Sequence, residues 1–241
     1  MPFTFSHPAA VLPLTYLPKR WTSITGLVIG SLAPDFEYFL RMRVYSSYSH
    51  TWTGMLWFDL PLAIILAFTF HLHVRDSLID NLPSFLAKRL LLFKDFNWTQ
   101  HFKDNFFVVI VSVLFGVATH ILWDNFTHEH GLFVQTYDVL QNTFNVAGYS
   151  IATYKLLQHS STIIGGLIIF YALLQLPSDN NFQRQKSIFR FWFLVGVVTF
   201  VVVVGRLLTG LDYKLYGNVI VTGITGGLLG LVVTPKLIAK N

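Results

Sequence analysis

His120, Asp124 and His128 recur every fourth residue within Thr119–His128 (THILWDNFTH). At about 100° per residue they drift only about 80° around a helix, so a helical reading puts two imidazoles and a carboxylate on one face. A bound cation is the simplest way to satisfy all three, because its charge favours the ionised Asp and the neutral His. The set follows the apolar run Phe106–Ala118, which reads as a membrane helix with the three groups at its end. Ionisable groups at the edge of lipid are costly and mark functional sites.

Composition fixes the setting for this chemistry. Hydrophobic residues make up 53% of the chain and charged residues 12%, where a soluble domain carries about 25% charged. Mean hydropathy is +0.54. The chain is an integral membrane protein by this measure, read as a single membrane-embedded domain over residues 1–241, in which 1–176 carries the site motifs and 177–241 adds two spans. There is no cysteine, so disulfides and thiolate ligands are excluded and a metal must be held by His, Asp, Glu, backbone or water. The formal charge of +5 is modest. Its basic residues cluster in loops, which suits membrane topology rather than nucleic-acid binding, and no nucleic-acid partner is expected.

Five apolar segments near spanning length must position the ligands: Met55–Phe70, Phe106–Trp123, Thr162–Leu176, Phe191–Leu208 and Asn218–Val233. Ile24–Leu32 is too short to cross alone and reads as a half-helix, paired with an N-terminal one starting near His7 and ended by Pro34. MPFTFSHPAAVLPLTYLPKR reads as no cleavable leader, since it has no basic n-region and is broken by four prolines. Gly223, Gly226, Gly227 and Gly230 predict close helix packing in the last span. The expected fold class is all-α: a polytopic helical membrane protein with about five spanning helices plus a re-entrant or half-helical N-terminal segment.

Loop charge predicts the orientation. Arg75, Lys88, Arg89, Lys94 and Lys103 lie in the 75–105 connection; Arg184, Lys186 and Arg190 in the 177–190 connection; Lys236 and Lys240 in the tail. These three regions share one side if the spans alternate, and the positive-inside rule makes that side cytoplasmic. The 127–158 connection, with only Lys155, then faces outward. His50, before the 55–70 span, and His159, before the 162–176 span, fall on the same outer face as His120, Asp124 and His128. His7 and Asp35 join them if the N-terminal segment is re-entrant. Seven N/O ligands exceed what one tetrahedral metal takes, and Asp124 and His128, one turn apart, suit neighbouring metals about 3.5–4 Å apart. Each also has a structural reading: His120 as a packing histidine, His50 and His159 as interfacial histidines, His7 and Asp35 as helix-end residues. Glu37 and His130 read more simply as solvated groups, and His71 and His73 as interfacial anchors. Asp59 and Arg206, inside spans, read as a structural ion pair or, for Arg206, a phosphate ligand.

The segments MPFTFSHPAAVLPL, GSLAPDFEYFLRMR, YSHT, HILWDNFTHEHG and YKLLQHSS resemble a bacterial membrane-protein family of unknown function, over roughly residues 1–176. They also look related to membrane-bound metal-dependent hydrolases, which carry an early His, a Pro-Asp after the first helix and a following His. More distantly, the ligand order resembles the zinc-dependent phospholipase C and single-strand nuclease superfamily, all-helical enzymes in which three zincs cleave phosphodiesters. That resemblance implies that Asp35, His50, His120 and Asp124 hold one zinc, that Asp124 bridges to a second held also by His7, and that His128 and His159 hold a third. The chain departs from the pattern at Ile163, where those enzymes have a carboxylate, and at Met1-Pro2, where they use a processed terminal amine. Two metals are therefore favoured, with Glu37, Glu129 or His130 as substitutes at a third.

The expectation is a multi-pass enzyme of the bacterial inner membrane: a metal-dependent hydrolase of a lipid-linked phosphoester, with Zn2+ as metal and Mn2+ or Fe as rivals, and its site facing outward. Asp35 or Glu37 takes the proton from the metal-activated water. The alternative is a non-catalytic metal-stabilised scaffold, or a transporter of metal or lipid. A transporter should carry polar groups through the bilayer midplane, and the last two spans carry almost none before Arg206.

Overall fold

The structure is a computed structural model that describes residues 3–146, 148–179, 182 and 188–239. Arg184, Lys186 and Lys240, used above for orientation, lie outside the described residues. After 3-10 turns at Thr4–Ala10 and Leu12–Tyr16, the order is α1 (Ile24–Leu32), α2 (Phe36–Arg41), α3 (Leu60–Thr69), α4 (Arg75–Asn81), α5 (Ser84–Leu90), α6 (Trp98–Asp104), α7 (Phe106–Thr127), α8 (Leu132–Thr136), α9 (Asp138–Gln141), β1 (Thr143–Val146), β2 (Tyr149–Ala152), α10 (Thr153–Gln175), α11 (Phe189–Leu208) and α12 (Tyr216–Ala239).

Among the described residues, five stretches are long and apolar enough to cross a membrane: Met55–Asn81, Phe106–Thr136, Thr153–Gln175, Phe189–Leu208 and Tyr216–Ile238. They coincide with the five expected spans but run further at most ends. Met55–Asn81 holds two π-helical stretches, Met55–Asp59 and Phe70–Val74, and so continues well past Phe70. The 127–159 connection contains an antiparallel β1–β2 hairpin, pairing Thr143 with Ala152 and Val146 with Tyr149, which the expectation of helices alone did not include. Its alternation is too short, and its strand Tyr149–Ala152 too exposed, to register as a strand pattern.

The chain forms two compact units. The first comprises Met1–Pro34, Tyr48–Ile64 and Asn105–Ala172. At its centre α7 buries Val109, Ser112, Val113, Gly116, Val117, His120, Ile121, Asp124 and Thr127, a stripe at i, i+3, i+4 spacing. The lower part of this stripe seats α1. A Cβ on Gly30 would collide with the backbone of Val113, and one on Gly116 with the carbonyl of Leu27. The two helices therefore meet backbone to backbone, as membrane helices do where small residues face each other. Ser112 Oγ accepts from the Ser23 amide at 2.8 Å, and the Ser23 side chain caps α1 by accepting from Gly26 N–H. With nine residues, α1 is about 14 Å long and reaches only partway across a bilayer, as a half-helix should.

The second unit comprises Asp35–Ser47, Ile65–Asp104 and Leu173–Asn241. Here α11 and α12 pair through small residues: Gly226 lies against Thr199 and Gly230 against Val195. Gly223, expected in the same contact, meets nothing within 4 Å. Thr225 Oγ1 donates to the Phe39 carbonyl at 2.8 Å, tying α2 to α12. The buried Arg75 guanidinium donates to the carbonyls of Phe96 and Lys94 at 2.6 and 2.8 Å, and the His71 ring stacks on Trp98 at 5.0 Å. These contacts fold the polar 75–104 connection onto its helix. His71 thus packs within this unit.

Candidate metal centre

The stripe on α7 that seats α1 continues into His120, which is fully buried, and Asp124, which is 7% exposed. Two other segments of the first unit converge on this end. His7 arrives on the Thr4–Ala10 turn, and that turn is held by α10: the Phe3 amide donates to Thr162 Oγ1 at 3.0 Å, and a Cβ on Gly165 would stand 2.8 Å from the Ser6 Cβ. His50 arrives on the turn before α3. Thr51 Oγ1 donates to the Tyr48 carbonyl and accepts from the Gly54 amide, both at 2.9 Å. His50 itself has φ 60°, a left-handed conformation that costs a non-glycine residue about 1–3 kcal/mol and is concentrated at functional sites.

Asp124 is the hub. Its Oδ2 lies 3.4 Å from His50 Nε2 and 3.5 Å from His120 Nε2. Its Oδ1 lies 3.6 Å from His7 Nε2 and 3.6 Å from His128 Nδ1. Ligand atoms about 2.0–2.1 Å from a tetrahedral zinc stand about 3.3–3.4 Å apart, so the separations to the Nε2 atoms of His50, His120 and His7 are close to edges of coordination polyhedra. The two oxygens face different imidazoles, the arrangement a carboxylate takes when it bridges two cations.

The hydrogen-bond pattern fits a cation there. His120 Nδ1–H donates to the Ser31 carbonyl at 2.7 Å. In a neutral ring the Nε2 lone pair then faces Asp124 Oδ2, acceptor against acceptor, and only a proton or a cation between them satisfies both. The His7 and His120 rings stack at 3.7 Å with planes 12° apart, a geometry that disfavours charging both, and one carboxylate cannot neutralise several imidazoliums. A divalent cation meets the whole set. The Ser31 carbonyl on α1 and the Ser49 hydroxyl, 2.9 Å from His50 Nδ1, orient the two rings from behind, as outer partners of metal-binding histidines do. Neither was singled out from the sequence: a backbone carbonyl leaves no trace there, and Ser49 showed only as the neighbour of His50.

The structure thus brings together His7, His50, His120, Asp124 and His128. One detail differs from the expected helical face. α7 ends at Thr127, and His128 has extended backbone, φ −116° and ψ 141°. Its Nδ1–H turns back to donate to the Asp124 carbonyl at 3.0 Å. The nitrogen left to bind a metal is Nε2, which is buried and has no hydrogen-bond partner among the described residues. His159 is not brought into this set; it lies exposed on α10. Glu129 and His130 are exposed as well.

In the second unit, Asp35 stands one peptide bond beyond Pro34 and is fully buried. Glu37, a candidate base from the sequence, is engaged otherwise. Its Oε1 accepts from Arg41 Nε at 2.8 Å and from the Ser47 amide at 2.9 Å, and Arg41 Nη2 lies 2.7 Å away. A carboxylate held by a guanidinium and a backbone amide stays ionised and fixes the 42–47 turn. Glu37→Gln is therefore expected to lower the melting temperature by several degrees, as the loss of a buried charged hydrogen-bond partner does, while metal content per folded chain stays at the wild-type value. A wild-type melt with reduced turnover would instead return Glu37 to a proton-transfer role. Asp59 is fully buried in the first unit and Arg206 half-buried near the end of α11 in the second.

Residues 1–235 match the family described as a domain of unknown function (DUF4184). No curated protein matches the chain, and neither does any solved structure.

Proposed function

The chain belongs to the DUF4184 family, and we propose that it is a membrane-embedded, metal-dependent hydrolase of a phosphoester, most simply a lipid-linked one. The observation that carries the reading is the Asp124 carboxylate, with Oδ2 3.4 and 3.5 Å from the Nε2 atoms of His50 and His120 and Oδ1 3.6 Å from that of His7. Such a set, without thiolate, suits Zn2+, with Mn2+ or Fe as alternatives. On the ligand order read from the sequence, Asp35 would be the fourth ligand beside His50, His120 and Asp124. His7 and Asp124 Oδ1 would hold a second, and His128 Nε2 would be the donor left for that site or a third.

When bound, the metal supplies Lewis acidity and a water of lowered pKa. The protein's own groups do the rest. The Ser31 carbonyl fixes the tautomer of His120, so that its Nε2 presents a lone pair, and the Ser49 hydroxyl holds the His50 ring through Nδ1 and leaves Nε2 toward Asp124. Asp124 would supply one oxygen to each site. With Glu37 committed to Arg41, Asp35 would be the carboxylate left by the sequence pattern to take a proton from a metal-activated water.

Purified protein is expected to hydrolyse a phosphoester with turnover that EDTA abolishes and added Zn2+ restores. If a panel of phosphoesters and acyl esters shows no EDTA-sensitive turnover from metal-loaded protein, the centre is a structural one. We further propose that the site faces outward from the bacterial inner membrane, on the loop-charge bias. Tyr149→Cys, at an exposed hairpin position of this cysteine-free chain, should then react with an impermeant thiol reagent in intact cells, and Asp95→Cys should not. The opposite pattern would put the site in the cytoplasm.

A further inference from the structure

Beside the metal centre, the first unit holds a groove of about 350 Å³ between the Thr4–Ala10 turn, the end of α7 and the middle of α10. This is within the range of small-molecule sites. One wall is His7, whose Nε2 lies 3.6 Å from Asp124 Oδ1. The others are apolar, with Ala10, Trp123, Leu157, Ile164 and Ile168 among them.

Three serines also line it, yet each spends its proton on the backbone. Ser6 Oγ donates to Phe3, Ser160 Oγ to Leu156 and Ser161 Oγ to Leu157 carbonyls. The groove therefore offers hydrocarbon-like surface along its length and metal-site chemistry at one end. Its flank is open: Ile164 is 54% and Ile168 45% exposed, on a helix of membrane-crossing length. The groove is thus continuous with the surface that meets lipid acyl chains. A soluble substrate would have to displace lipid to enter it, whereas the chain of a membrane lipid reaches it by lateral diffusion.

We propose that this groove binds the hydrocarbon chain of a membrane lipid phosphoester, laid along α10 with its phosphate at the His7–Asp124 end. The placement of the phosphate rests on the hydrolase reading; the seating of the chain does not.

The test is photolabelling of the full-length protein in lipid nanodiscs with a non-hydrolysable single-chain alkyl phosphonate carrying a mid-chain diazirine. Label is expected on the Ile164–Ile168 segment of α10 and on Trp123, in excess over the lipid-exposed Phe200 of α11. Ala10→Trp, which fills the groove, should lower that labelling about tenfold, since excluding a few methylenes from burial suffices for such a loss, with metal content and melting temperature unchanged. If Ala10→Trp loses metal, Ile164→Trp on the open flank makes the same test. Equal labelling of Phe200 and α10, or labelling unaffected by a folded, metal-loaded groove variant, overturns the proposal. Groove-specific labelling in a protein with no phosphoester turnover would leave the groove standing and remove the hydrolase reading. Turnover without groove labelling would do the reverse.

Discussion

Asp124→Ala is expected to strip the purified protein of essentially all bound transition metal. Loss of an outer hydrogen-bond partner of a metal ligand costs about 10–100-fold in affinity, and Asp124 is closer to the metal than that: its two oxygens face His50 and His120 on one side and His7 and His128 on the other. Removing it takes a ligand from both proposed sites and the carboxylate that faces those imidazoles. Elemental analysis of protein never exposed to chelator should find about two metals per chain in the wild type, by the two-metal spacing, and almost none in the variant. Asp124→Asn is the control for fold, since it keeps shape and removes charge; it should melt like wild-type protein stripped with EDTA. His7→Ala should lose one metal and keep the other. Equal metal content in wild type and Asp124→Ala would remove Asp124 from the site. Absence of transition metal from untreated wild-type protein would end the metal reading altogether.

Gly30→Ala is expected to destabilise the protein strongly and to lower its metal content, although it adds one methyl group. Helix propensity alone favours Ala over Gly by about 1 kcal/mol. At Gly30 a Cβ would meet the Val113 backbone, which cannot rotate away, so α1 must move off α7. Overpacking of this kind costs about 1–3 kcal/mol or more. It also displaces Ser31, the next residue, whose carbonyl holds His120 Nδ1 at 2.7 Å. Gly223→Ala is the counterpart. Its Cβ meets nothing within 4 Å, so propensity acts unopposed and the melting temperature should hold or rise. A Gly30→Ala protein with wild-type melting and metal content would show that the α1–α7 contact can relax, and would detach the metal centre from that packing.

The contrast between those glycines separates what the sequence carried from what folding decided. Four glycines in α12 formed a visible cluster, yet only Gly226 and Gly230 lie against α11 backbone. Gly26, Gly30 and Gly116 carried no cluster signal, because the partner of each is distant in the chain. Small size shows in a sequence; the backbone it must admit does not. Glu37 makes the same point for charge. Its proximity to Asp35 made it a candidate base, and only the return of the 42–47 turn gave it Arg41 and Ser47 as partners.

By itself the sequence determined the five apolar stretches, because burial in lipid demands about 20 apolar residues in a row and that demand is local. It also determined the α7 ligand face, because helix periodicity puts His120 and Asp124 on one side whatever surrounds them. The tertiary structure alone decided which other histidines reach Asp124. His7 and His50 do so from turns whose course depends on Gly165 and Thr162 in one case and Gly54 and Thr51 in the other. His159, equally plausible by position, stays exposed on α10, because the helix rotation that sets Gly165 against Ser6 is fixed by packing. Close backbone approach, and not residue type, decided which histidines reach Asp124.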